Sequence, residues 1–600
     1  AIIYIIVVTL LLFLSTSIAI TFASRLTKPI VNLIGASDSI SKGALDVKVP
    51  DLETDEEFKD LWDLKLDFDD ILFDRSAIVV DSLGPSKGGS VEINADTFQM
   101  NNAAFKSVVG KTGIARDVFL SADRIDIKGS NFFSGTNGSG QGADIYMSAS
   151  DSIQLDKAKV YTQRALTSKQ DKVSEAGSLY LAAPRINITN RSRVFTSVMS
   201  GARGVGGNVV MDADQIEITK DSLLVSDIFG QGKGGAIDLN ANSVLEVNNS
   251  VLSTMSKTSP KRSKNGIGGL VKLKGEKIIL KNGAKLQAGT FSKGSGGEVQ
   301  ISAGELVVEG ANERGRQTGI LSETLIASLP TETDAAGTAG RVGINAESIL
   351  VRDGGYISTA SKGLGDAGEI SIEAGNLLME NGVIKSEGTH SGAAGSVELR
   401  LARGMTLGQA SSISVTASQA DGGDIRLITD GRVSLVDSEL TAAAAGDGGS
   451  VRLLGSGNVM LTDSLVSAEA GQDGGNIEVR SPDTLVLHRS GLVANAIHGN
   501  GGNIAIAAEG YLPSLESVVS ASSEFGLEGS VEIDTPETNV GAGLSILPDN
   551  LMEGEVSIAE RCALRLQGDT SSFFINGTGG LSEFSSENYL PSLFDPEEKE

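Results

Sequence analysis

Along most of this chain apolar residues come in pairs separated by one residue, each pair following a glycine-led phrase. The phrase reads Gly-Gly-x-(Val/Ile/Leu)-x-(apolar), as in Gly474, Gly475, Asn476, Ile477, Glu478, Val479. Taking the residue two before the first apolar position as an anchor, anchors fall at 89, 116, 143, 177, 207, 235, 269, 297, 340, 368, 395, 423, 449, 475, 502 and 529. Fourteen of the sixteen are Gly, the exceptions being Arg116 and Ala143, and the residues two and four after every anchor are apolar. Successive anchors lie 26 to 43 residues apart, most often 27 or 28, a period that belongs to stacked-repeat architectures.

Each unit carries three short alternations of period two, the spacing of strands and not of helices. In the unit anchored at Gly449 they are Val451 and Leu453, Val459 and Leu461, then Val466 and Ala468; the next unit repeats them at Ile477 and Val479, Leu485 and Leu487, Leu492 and Ala494. Three strands per turn predict a right-handed parallel β-helix of about sixteen turns across residues 76–540, with inward columns of Val, Ile and Leu stacked along the axis. The third column narrows to Ala442, Ala468, Ala494 and Ala521, which suits a slim cross-section. The glycine before each first strand is expected to turn a corner with φ > 0. At about 4.8 Å per turn, fifteen steps make a rod of roughly 70 Å, and its open ends need caps.

The first 75 residues break this pattern. Ala1–Ala23 contains no charged residue and is long enough to span a bilayer as a helix, so residues 1–24 predict a membrane anchor. Arg25 and Lys28 follow at once and place the next segment in the cytoplasm by the positive-inside tendency. Pro29, a helical stripe of Ile30, Leu33, Ile34 and Ile40, Gly43, and an extended Leu45, Val47, Val49 lead to Asp55 and Glu56, which open a second helix seamed by Phe58, Leu61, Phe68 and Ile71. That order resembles a HAMP linker across residues 25–75, although Lys65, Asp67, Asp69 and Asp70 depart from the family pattern. The resemblance implies a helical bundle formed with a second copy, hence a homodimer, and a part in signal transduction.

The repeats themselves resemble the C-terminal half of filamentous-haemagglutinin-like exoproteins of two-partner secretion, from about residue 85 to 581. The most specific stretch is the closing phrase Ser520 to Pro536, followed by Gly543, Leu544, Leu547 and Pro548. Cys562, Ser571, Ser572, Phe573 and then Gly577, Thr578, Gly579, Gly580 and Leu581 resemble the terminal signature of that family, and residues 541–600 are expected to form a cap and an acidic tail. Membership would imply an adhesin-like surface molecule exported through an outer-membrane partner; residues 74–88 are too short to hold its secretion domain. The two resemblances place the rod differently: outside the cell by the second, in the cytoplasm by the first.

Composition narrows the function further. A net charge of −26, dispersed over the repeats, argues against a nucleic-acid partner. The single cysteine, Cys562, allows no intrachain disulfide. Outward carboxylates recur at Glu92, Asp144, Asp238, Glu298, Glu398, Asp424 and Glu478, but as dispersed strand positions and not as a cluster, so no catalytic residue is assigned. His390, His488 and His498 lie in different units without a third ligand, and Gly499, Asn500, Gly501, Gly502 lacks the Lys-Ser/Thr of a phosphate loop. No metal or cofactor is expected. The remaining candidate is a basic patch: Arg164, Lys169 and Lys172 after one third strand, and Lys257, Lys261, Arg262 and Lys264 after another three turns on. These loops are expected to meet an anionic glycan or lipid, and the rod as a whole a host or cell-surface glycan or protein. The leading expectation is a non-enzymatic, membrane-anchored, adhesin-like display surface; the competing one is a receptor fragment that signals through the HAMP-like helices.

Overall fold

Parallel strands that return every 26 to 43 residues build the molecule, which is described here from a computed structural model. The structure describes residues 64–82, 90–109, 116–136, 142–162, 173–198, 203–229, 231–257, 266–291, 293–325 and 337–536. Most turns have a long bent strand, such as Glu369–Glu380, and a short one, such as Val383–Lys385; in three turns the long strand is interrupted, as between Asp424–Thr429 and Arg432–Val436. The long strands stack into a 20-stranded parallel sheet and the short ones into a 16-stranded sheet, giving a β-solenoid of about fifteen steps. Both ladders are parallel throughout, and single bridges add a further column through Ala417, Ala444, Ala470, Ala496 and Ser523.

Register explains the core. Val451 pairs with Ile477 and Ile477 with Ile504, while Leu453, Val479 and Ile506 do the same two positions on. Leu440, Val466 and Leu492 form the column of the short strands. All nine are essentially buried, as are Ala442, Ala468 and Ala494 where the cross-section narrows. Within a long strand the inward parity changes once: Ile370 and Ile372 point in, then Leu377 and Met379. That change of phase is the bend between its two halves.

Two expectations about the backbone need correction. The described strand-leading glycines do not turn corners at positive φ; Gly235, Gly340, Gly449 and Gly475 all keep ordinary φ. What they supply is the missing Cβ, since a methyl on any of them would lie under 3.0 Å from the carbonyl oxygen of the anchor one turn earlier. The φ > 0 corner is elsewhere, between the long and short strands. There Asn102, Lys157, Asn249, Asn282, Asp353, Asn381, Asp437 and Asp463 have φ between 48° and 56°, one to a turn, in the left-handed region that Asn and Asp tolerate best. A serine follows several of these corners, and its hydroxyl continues the ladder: Ser438 N–H donates to Ser464 Oγ at 3.2 Å, and Ser464 N–H to Ser490 Oγ at 3.1 Å.

The helical linker expected to extend to residue 75 is also corrected over the part that is described. Leu64–Asp74 is a strand, not the end of a second helix, and it pairs in parallel with Val91–Asn101 in the register Leu64↔Val91, Leu66↔Ile93, Ile71↔Phe98 and Phe73↔Met100. Leu66, Ile71 and Phe73 point inward and are buried, whereas Phe68, assigned to a helical seam, is 54% exposed. Strand pairing to an existing edge outweighs a local stripe that two periodicities fit equally well. Lys65 and Glu92, opposite each other in this ladder, form an ion pair at 3.3 Å. Among the described residues no helix is long and apolar enough to cross a membrane. Residues 1–24, the rest of the HAMP-like segment, and the closing residues 541–600 lie outside the described residues.

Candidate functional site

The expected basic patch is represented by one side chain. Lys257 extends from the single-bridge column, and its Nζ lies 2.5 Å from Oδ2 of Asp227, a fully buried carboxylate. Asp227 Oδ1 also accepts from Ser253 Oγ at 2.6 Å and from the backbone N–H of Met255 at 2.7 Å. Lys257 therefore neutralises a buried charge of its own fold. Arg164, Lys169, Lys172, Lys261, Arg262 and Lys264 lie outside the described residues.

The outward carboxylates likewise serve neighbouring positions of the sheet. Asp238 pairs with Lys272 at 3.1 Å, Glu398 with Arg400 at 2.6 Å, and Glu478 with Arg480 at 2.6 Å. Asp144 accepts the backbone N–H of Ser178 at 2.7 Å, and burial pushes its pKa above the usual carboxylate range. Among the described residues no group of three His, Cys, Asp or Glu side chains is placed to hold a metal ion. His488 ends one long strand and His498 follows the next short strand, stacked on Phe525 with ring centroids 5.6 Å apart.

Among the described residues Lys285 is a buried lysine. It shares a column of the short-strand sheet with Gly319 and Tyr356. Because Gly319 has no side chain, the other two reach across it: Lys285 Nζ donates to Tyr356 Oη and lies 4.0 Å from the ring centroid. Burial first, then repulsion from Arg316 and Lys362, holds the Lys285 pKa down at about 8, although Glu323 opposes the shift. Burial and the Glu323 charge push Tyr356 up to about 12. Glu323 is itself buried and accepts from Ser358 Oγ at 2.5 Å. The lysine nitrogen is thus committed to its neighbours.

An open polar groove of about 770 Å³ lies nearby, on the outward second half of the long strands. Its floor is a register column, Gln154, Asn187 and Glu217, one residue from each of three successive turns. Thr189 and Thr219 run beside it with their hydroxyls 3.0 Å apart, and Asn248 and Asn282 continue it with an amide hydrogen bond of 3.0 Å. The wall is the small loop Gly310–Thr318, closed by an antiparallel bridge between Ala311 and Gln317. Asn312 Nδ2 and Arg316 Nη2 both donate to Asn249 Oδ1, at 3.0 and 2.8 Å, which fixes the loop across the corner residues of earlier turns. Thr318 Oγ1 secures its base, donating to Glu309 O at 2.7 Å and accepting from Gly283 N–H at 2.9 Å.

Sequence reasoning singled out none of these groove residues. The available signal was the 43-residue interval between anchors 297 and 340, the longest in the chain, which contains the wall loop. Comparison with protein-family models, with curated proteins and with solved structures finds no match. The class is defined by the fold itself: this is a parallel β-solenoid repeat protein, the architecture that the exoprotein resemblance implies.

Proposed function

We propose that the chain is an adhesin-like scaffold: a rigid, non-enzymatic rod that presents binding groups along its lateral face, tethered to a membrane through residues 1–24. The observation that carries this reading is the polar groove, which crosses several turns of a face whose backbone hydrogen bonds are already used along the rod. A solenoid spreads its stability over many neighbour contacts, so it can hold a long row of side chains in fixed register without a globular core. The closing phrase Ser520 to Pro536 supports the same reading. On this view the rod stands outside the cell and meets a host or cell-surface glycan or protein.

The test is adhesion of beads coated with the full chain to surfaces carrying purified cell-surface glycans or proteins. Saturable adhesion without change in the ligand is the expected result. Release of cleaved sugar or peptide products from those surfaces, with no retention of the beads, would show an enzyme instead.

A further inference from the structure

We propose that the groove floored by Gln154, Asn187 and Glu217 binds an uncharged oligosaccharide laid along the rod axis; this rests on the scaffold reading and gives its ligand a chemical class. Three observations carry it. First, the side chains of Gln154, Asn187 and Glu217 accept and donate no hydrogen bond within the described protein, whereas the neighbouring amides are bonded in pairs, Asn282 to Asn248 and Asn312 to Asn249. Three successive turns therefore hold out unspent polar groups beside a fixed partition.

Second, the chemistry of those groups is mixed. A carboxamide donates through its nitrogen and accepts through its oxygen, and a carboxylate accepts two bonds, which together match the vicinal hydroxyls of a sugar. Charge in the groove nearly cancels: Glu217, Asp221 and Glu313 stand against Lys220 and Arg314, a sum of −1. That disfavours a sulfated or uronic polyanion, and equally a nucleic acid. A peptide is also a poor fit. The long strands have spent their backbone groups on the turns above and below, so no edge is offered for strand addition, and the floor offers no apolar pocket for a side chain.

Third, the spacing is periodic. Neighbouring turns are about 4.8 Å apart, so equivalent groups recur along the axis at a step comparable to one pyranose unit. Recognition by one polar group per turn, with no aromatic platform in the lining, makes each sugar a weak contact and the chain length of the ligand the main determinant of affinity.

The experiment uses the full chain in titration calorimetry or saturation-transfer NMR. The probes are β-1,4-linked glucose and N-acetylglucosamine oligomers of two to six units, with a heparin hexasaccharide as the anionic arm. Affinity for a neutral series should rise with length, and N187A and E217Q should each lower it about 2- to 10-fold, the worth of one or two hydrogen bonds. R452A, on a turn well beyond the groove, should leave it unchanged. Heparin bound more tightly than every neutral oligomer, or binding indifferent to N187A and E217Q, would overturn the proposal. The bead assay separates the two readings: adhesion that persists in N187A/E217Q refutes the groove assignment and spares the scaffold, whereas loss of adhesion to all surfaces by the unaltered chain refutes the scaffold.

Discussion

Gly502 lies so close beneath the carbonyl of Gly475 that a methyl group on its Cα would be less than 3.0 Å from that oxygen. The turns are spaced by peptide hydrogen bonds, so neither backbone can withdraw without breaking its ladder. Gly502→Ala is expected to cost about 1–3 kcal/mol, as overpacking does. Gly408→Ala, where a Cβ would meet nothing within 4 Å, should be neutral by comparison. Hydrogen exchange checks this, with the G502A loss of amide protection centred on the adjacent turns.

Asp227 depends on Lys257. Removing the cation leaves a fully buried carboxylate holding only the Ser253 hydroxyl and the Met255 amide. Lys257 is one-third exposed, so solvent reduces the cost; K257A should lose about 2–4 kcal/mol in urea unfolding. D227N/K257A, which removes both charges, should recover part of that loss.

The corner residues make a graded set. Asn381 sits at φ 56° and Lys157 at φ 50°. Asn381→Val places a β-branched residue in the left-handed region and should cost about 1–2 kcal/mol. Lys157→Gly relieves the same strain and should raise the unfolding midpoint. Both are read from denaturation curves.

Lys285 gives the rod a pH signature. Its folded pKa, near 8, lies below the 10.5 of the free side chain, so between those values the unfolded chain binds a proton that the folded one does not. Stability therefore rises with pH from about 8 upward. Tyr356 acts oppositely: its folded pKa of about 12 exceeds the ordinary 10, so above pH 10 the unfolded chain loses a proton first and stability falls. Unfolding midpoints measured from pH 7 to 11 should rise and then turn down near 10. K285M should abolish the rise and increase stability at neutral pH.

Much of this fold could be read from residue order alone. Pairs such as Ile477 and Val479 recur because each must meet its counterpart on the next turn, and the structure buries them in those columns. The turn that begins at Leu64 was harder to see. Leu64 and Leu66 stand 27 residues before Val91 and Ile93 and continue the period, but the anchor position is occupied by Trp62 in place of glycine, and Phe68 with Ile71 also suits a helix. The role of the glycines was hidden for a different reason. Sequence shows where a side chain is absent, not whether φ or a neighbouring carbonyl excludes it. The groove was least legible, because it joins Asn187 to a loop more than 120 residues later through a stacking register that only the folded chain displays.

That register also separates length from recognition. The anchors at 423, 449 and 475 are 26 residues apart, with no insertion between them. Cutting out residues 449–474 would set Gly475 against Gly423, the same meeting of backbones that Gly449 makes now. A gene encoding such a rod can gain or lose whole turns there by simple duplication or deletion, lengthening or shortening the reach of the molecule while every residue of the groove keeps its neighbours.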